Sequence, residues 1–177
     1  MKKILVVFIS ILILMPEVKS STTSASSYIL MDQNTGRVLL SKDKDSQRLI
    51  ASITKIMTCI LALESGKSED VVIVDDNATS AYGSGIYIEV GEEIKLKDLL
   101  YGLMLRSGND AASMIAAYVS GSIEEFVKLM NNKAKELGMK NTIFYTPSGL
   151  PTPHGNLSSV YDLSLIHISE PTRRRGI

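Results

Sequence analysis

Between residues 122 and 138 the sequence admits one local structure. Ser122-Ile123-Glu124-Glu125 has the spacing of a capping box, in which hydroxyl and carboxylate satisfy each other's orphan N–H groups. Behind it, Ile123, Phe126, Val127, Met130, Ala134 and Leu137 share one face at helical spacing, and Gly138 ends the run. A helix apolar along one face must bury that face, so the segment also demands a core.

The neighbouring segments supply one. Residues 52–64 read as a helix closed by Gly66, residues 96–105 as an apolar helix ending at Ser107-Gly108, and residues 110–119 as an alanine-rich third. Upstream, the apolar runs 28–31 and 37–40 flank Asp32-Gln33-Asn34-Thr35-Gly36, the pattern of a β-hairpin. Residues 71–74 and 86–90 are further candidate strands. A strand pair followed mostly by helices predicts an α+β fold, a helical cluster packed on an antiparallel sheet. Hydrophobic residues at 45% and charged residues at 21% suffice for a folded core and argue against a disordered chain.

Composition also removes several function classes. Lys+Arg and Asp+Glu number 19 each, and Trp is absent, so neither a basic surface nor base-stacking aromatics point to nucleic acid as a partner. One cysteine, Cys59, leaves no internal disulfide and no multi-cysteine metal site, and it sits in an apolar stretch as a small core residue would. His154 and His167 have no metal-ligand spacing, and His154 lies in a Pro/Gly loop.

The amino terminus reads as an address. Met1-Lys2-Lys3 precedes an apolar run over 4–15, stopped by Pro16 and followed by small residues at Ser20, Ser21 and Ala25. That is the layout of a secretory signal peptide. About 12 apolar residues fall short of the roughly 20 a spanning helix needs. Residues 1–25 are therefore expected to be a leader, and the protein to be exported.

Chemistry enters at Ser52-Ile53-Thr54-Lys55. Three residues along a helix bring two side chains onto one face, so the Lys55 amine can reach the Ser52 hydroxyl. A serine hydroxyl is a poor nucleophile until a base takes its proton. Lysine serves as that base only when neutral, which burial favours by penalising the ammonium. The start of a helix adds backbone N–H groups where oxyanion charge would develop. Alone, the same four residues also describe an N-capping serine followed by a solvated lysine. A second element, Ser107-Gly108-Asn109, falls in the break between two apolar helices. It reads either as a plain turn or as a turn that points a hydroxyl and an amide into a cleft, where Ser107 relays a proton and Asn109 bonds Lys55 and substrate.

The longer blocks 51–58 and 98–112, with Leu137-Gly138-Met139-Lys140-Asn141-Thr142, Pro147-Ser148-Gly149-Leu150 and Ser158-Ser159-Val160-Tyr161-Asp162-Leu163, resemble the low-molecular-mass penicillin-binding proteins, specifically the D-alanyl-D-alanine carboxypeptidases. The resemblance spans residues 27–165. It implies a β-lactamase/transpeptidase-like α+β fold and a substrate class, peptidoglycan stem peptides ending in D-Ala-D-Ala. It further implies Ser52 as acylated nucleophile, Lys55 as general base, Ser107 and Asn109 as proton relay and substrate contact, and binding of β-lactam antibiotics as substrate mimics. No metal or organic cofactor is expected, and action outside the cytoplasm, with a membrane-associated parent, is.

The family also uses a Lys-Thr-Gly strand element, which occurs nowhere in the 177 residues. Residues 166–177 carry no apolar period and end in Arg173-Arg174-Arg175-Gly176-Ile177. The expectation is a partial catalytic domain over 26–165 followed by a non-native tail over 166–177, with the chain as written poorly stable and nearly inactive. A basic tail that touches wall or membrane is the plainer reading of that end. Two other functions fit the motifs: a serine β-lactamase, which typically has Ser-Asp-Asn where this chain has Gly108 in the middle, and a non-catalytic wall-binding module on the same fold.

Overall fold

The computed structural model describes residues 23–79 and 81–169. The expected leader lies outside the described residues except for its last three. The hairpin forms as read: β1 (Tyr28–Met31) pairs antiparallel with β2 (Val38–Lys42), Tyr28 opposite Lys42. Asp32 shapes its turn, one carboxylate oxygen accepting the Asn34 and Thr35 N–H groups and the Thr35 hydroxyl.

Two further two-stranded antiparallel ladders follow rather than one continuous sheet. β3 (Arg48–Leu49) pairs with β6 (Leu157–Ser158), and β4 (Val71–Ile73) with β5 (Glu93–Lys95). The strand expected over 86–90 does not form. Its Ile86 and Tyr87 N–H groups are taken by the Asp110 carboxylate at 2.7–3.1 Å, and Tyr87 has φ 60°, outside extended backbone. A segment whose donors are held by a side chain cannot join a ladder, and pairing with β4 falls to β5.

The helices are α1 (Lys55–Glu64), the four-residue α2 (Asp76–Thr79), α3 (Leu96–Arg106), α4 (Asn109–Ser120), α5 (Ile123–Glu136) and α6 (Val160–Ser169). In α5 the Ser122 hydroxyl accepts the Glu125 N–H at 3.1 Å, whereas the Glu125 carboxylate pairs with Lys128, so half of the capping box is made. Phe126, Met130 and Ala134 are buried, as the spacing requires. α6 was not legible as a helix. Ser159 caps it by accepting the Asp162 N–H, and it crosses the boundary expected at Leu165, with Ile166 2% exposed in the core.

The core falls into two clusters. One joins Val72 and Val74 with Leu96, Leu99, Leu103, Met114 and Ile115. The other joins Ile50, Met57, Phe126, Met130, Phe144 and Ile166. α1 and α4 contribute to both, Ala62 and Ala111 to the first, Met57 and Ala116 to the second. These two helices form the wall between the clusters, and both begin at the site described next. Phe126 of α5 packs in the second cluster with Met57 of α1 and Ala116 of α4, and losing its buried ring would cost about 3–5 kcal/mol.

Candidate active site

Ser52 lies on a 3-10 turn, Ala51–Thr54, that leads from β3 into α1. The turn is anchored by buried Ile50, whose carbonyl accepts the Ile53 N–H at 3.0 Å. Ala51 has φ 42°, left-handed backbone that costs a residue with a Cβ about 1–3 kcal/mol. Ser52 itself is exposed, and no side-chain cap bond ties it down. The capping alternative for this serine is therefore not what the structure contains.

One turn on, Lys55 is only 3% exposed. Its Nζ lies 3.3 Å from Ser52 Oγ, 2.8 Å from Asn109 Oδ1 and 2.8 Å from the Ser148 carbonyl oxygen. The last two partners can only accept. A neutral amine has two N–H donors and one lone pair; with both donors spent on Asn109 and Ser148, the lone pair faces the Ser52 hydroxyl. Burial holds the amine below its ordinary pKa, and among the described residues no charged side chain adds to the shift. Desolvation disfavours the charged form, while the three partners fit either an ammonium or a neutral amine whose lone pair faces Ser52.

Asn109 opens α4 and is itself fixed from a third direction. Its Nδ2 donates to the Tyr82 carbonyl at 2.7 Å and its backbone N–H to the Ser84 carbonyl at 2.8 Å. Asp110, next in sequence, holds the following loop residues Ile86 and Tyr87. The exposed rings of Tyr82 and Tyr87 therefore belong to a loop latched onto the first turn of α4. One donor of Asn109 is already committed to that loop.

Ser107 ends α3 in left-handed conformation, φ 55° and ψ 37°. It is half-buried, and its hydroxyl has no hydrogen-bond partner among the described residues. Of the four side chains singled out in the sequence, Ser52, Lys55 and Asn109 are joined by hydrogen bonds and Ser107 is not.

The sequence reading missed the far wall. Thr58 donates to the Pro147 carbonyl at 2.6 Å beside the Lys55–Ser148 bond. Gly149 has φ 82°, and a Cβ there would run into the Ala51 carbonyl and sit 3.0 Å from Thr54 Oγ1. Only glycine lets this loop lie against the turn carrying Ser52. Pro147-Ser148-Gly149 reads as an ordinary turn in sequence; its signal was the family likeness, not its composition.

A family profile described as D-alanyl-D-alanine carboxypeptidase matches residues 15–172, running past the boundary expected at Leu165. The chain is 47% identical over 147 residues to the D-alanyl-D-alanine carboxypeptidase DacF of Bacillus subtilis, covering 80% of this chain and 38% of that protein. It is 38% identical over 153 residues to DacA of Escherichia coli, again 80% of this chain and 38% of the relative. Among solved structures it resembles penicillin binding protein 5 from Haemophilus influenzae, with a TM-score of 0.79 and 33% identity over 85% of this chain and 46% of that one. DacD from Francisella tularensis gives a TM-score of 0.78 at 35% identity over 84% and 37%. The chain thus spans about two fifths of the length of the curated relatives it matches.

Proposed function

The chain belongs to the D-alanyl-D-alanine carboxypeptidase family, and from that premise we propose that it carries the acyl-transfer centre of a serine D,D-carboxypeptidase acting on peptidoglycan stem peptides. The observation that supports this most directly is the Lys55 amine, buried, with both donors on carbonyl acceptors and Ser52 Oγ at 3.3 Å.

In the proposed reaction Lys55 Nζ takes the Ser52 hydroxyl proton as Oγ bonds to the carbonyl carbon of the penultimate D-Ala. The C–N bond to the terminal D-Ala then breaks, and the proton passes to the departing amine nitrogen. Ser107, two residues before Asn109 and with its hydroxyl uncommitted among the described residues, is the residue proposed to carry that proton from Lys55. Water attacks the resulting ester, Oγ leaves, and Ser52 regains its proton. Asn109 keeps Lys55 aimed and offers its remaining N–H to the substrate amide. The family resemblance assigns carboxylate capture to a Lys-Thr-Gly strand, which does not occur in the 177 residues, so no residue is assigned that role here.

β-Lactams are expected to acylate the same serine. Peptidoglycan lies outside the cytoplasm, and residues 1–25, read as a signal peptide, fit export there; no described helix is long and apolar enough to cross a membrane. The test is incubation of the purified chain with a fluorescent penicillin, followed by mass mapping of the adduct. The expected result is slow labelling on Ser52, abolished in Ser52→Ala. Labelling that survives in Ser52→Ala, or none on Ser52 after prolonged exposure, overturns the reading.

A further inference from the structure

Asn156 is 2% exposed and lies far along the chain from the turn that bears Ser52, yet it holds both sides of that turn. Its backbone carbonyl accepts the Ile50 N–H at 3.1 Å, two residues before Ser52. Its Nδ2 donates to Thr54 Oγ1 at 2.8 Å, the residue before Lys55. The same side chain grips the loop opposite: Oδ1 accepts the Tyr145 and Thr146 N–H groups at 2.7 and 3.1 Å, and Nδ2 donates to the Thr146 carbonyl at 2.8 Å. Thr146 Oγ1 in turn accepts the Gly149 N–H at 3.1 Å. Ser148, whose carbonyl takes one of the Lys55 donors, lies between those fixed points.

The amide has two donors and an acceptor oxygen with two lone pairs, and all four are used. A buried amide so saturated cannot rotate without stranding polar groups, which makes the connection rigid. We propose that Asn156 is a positioning residue for the Ser52–Lys55 pair, setting the distance between the turn that carries both and the Ser148 carbonyl that orients the Lys55 amine. This rests on the acyl-transfer reading above for its functional meaning, but not for its geometry.

Among the described residues nothing charged competes for Lys55. The groups bonded to its Nζ are Ser52, Asn109 and Ser148, from the turn, α4 and the loop, and the Asp110 carboxylate beside Asn109 is turned onto Ile86 and Tyr87. Loosening the Asn156 bridge therefore acts on Lys55 through hydration.

The experiment reads Lys55 directly, by titrating the full chain labelled with 13Cε-lysine, and reads Ser52 by the rate constant for penicillin labelling. Asn156→Ala and Thr54→Val are expected to raise the Lys55 midpoint toward the free-lysine value of about 10.4. They should also slow labelling by about tenfold or more, as for a misplaced base. Thr54→Ser, which keeps the hydroxyl, should retain parental values for both. Thr54→Val exchanges a hydroxyl for a methyl, so it serves should Asn156→Ala not fold. A merely structural asparagine would lower the labelled fraction and the melting temperature at an unchanged midpoint and rate constant, and that result overturns the proposal. If Lys55 responds as stated while the parent never labels on Ser52, the positioning role stands and the acyl-transfer reading falls. If the parent labels and Lys55 is indifferent to both substitutions, the reverse holds.

Discussion

Lys55 Nζ lies 2.8 Å from the carbonyl oxygen of Ser148, a residue drawn from a separate loop to close over the first turn of α1. Ser52 and Lys55, the proposed nucleophile and base, are local neighbours, but the groups that aim the Lys55 amine are not. Asn109 arrives from α4 and Ser148 from the loop before β6, so the environment of the Lys55 amine exists only in the folded chain.

Removing the amine should therefore remove the chemistry while leaving the nucleophile in place. Lys55→Met keeps the length and apolar stem and loses the lone pair. The first-order rate constant for labelling Ser52 should fall by about 10²–10⁴, the usual worth of a positioned proton acceptor. Lys55→Arg should do no better, because guanidinium stays protonated in proteins. Labelling by either variant at the parental rate would remove Lys55 from the mechanism.

Burial of Lys55 also carries a stability signature with a definite sign. Its folded pKa is lowered by desolvation. Between that lowered value and the unfolded value near 10.4, the unfolded chain binds more protons than the folded one. Unfolding free energy then rises with pH across the window. Below it, lysine is charged in both states and the full penalty for burying an ammonium remains. Lys55→Met has no such penalty, so its advantage over the parent should be largest at low pH and shrink as pH climbs towards 10.4. Urea midpoints at a series of pH values give the comparison, and a pH-independent difference would mean that Lys55 is not desolvated.

Ser107 separates function from stability. Its hydroxyl bonds nothing among the described residues, and its left-handed backbone is set by the end of α3. Ser107→Ala should leave the unfolding free energy from urea titration within about 0.5 kcal/mol of the parent. If Ser107 relays the proton from Lys55, the same variant should still lower the penicillin labelling rate by about tenfold or more. A variant that is destabilised but labels normally would assign the hydroxyl to the fold instead.

How much of this could be read from the sequence depends on how local the interaction is. The hairpin around Asp32-Gly36, α5 behind Ser122 and the Ser52–Lys55 spacing all follow from contacts within a few residues, and they are where the reading predicts them. The strand over 86–90 failed because its donors were claimed by Asp110, more than twenty residues on, a competition no local pattern records. β3 and β6 are two residues each and carry no periodicity, and α6 has apolar residues all round rather than on one face. Ser148 acts through its backbone carbonyl, which makes side-chain identity silent about its role. Asn156 offered a buried amide that composition alone would assign to a loop.

Gly149 is where the close approach of loop and turn can be probed with one methyl group. Its φ of 82° is left-handed, and a Cβ would collide with the backbone carbonyl of Ala51 rather than with a side chain that could swing away. Ala51 is itself at φ 42°, so the turn has little slack to retreat into. Gly149→Ala must then push the loop off, lengthening the Lys55–Ser148 and Thr58–Pro147 bonds together. Backbone strain and two weakened buried hydrogen bonds sum to about 3 kcal/mol or more, measurable as a fall in urea midpoint. The folded fraction that remains should label slowly on Ser52, since the Lys55 amine, the proposed base, has lost one of the two acceptors that aim it. A Gly149→Ala chain with parental stability and labelling rate would mean that the loop does not rest on the turn, and the far wall of the site would have to be drawn elsewhere.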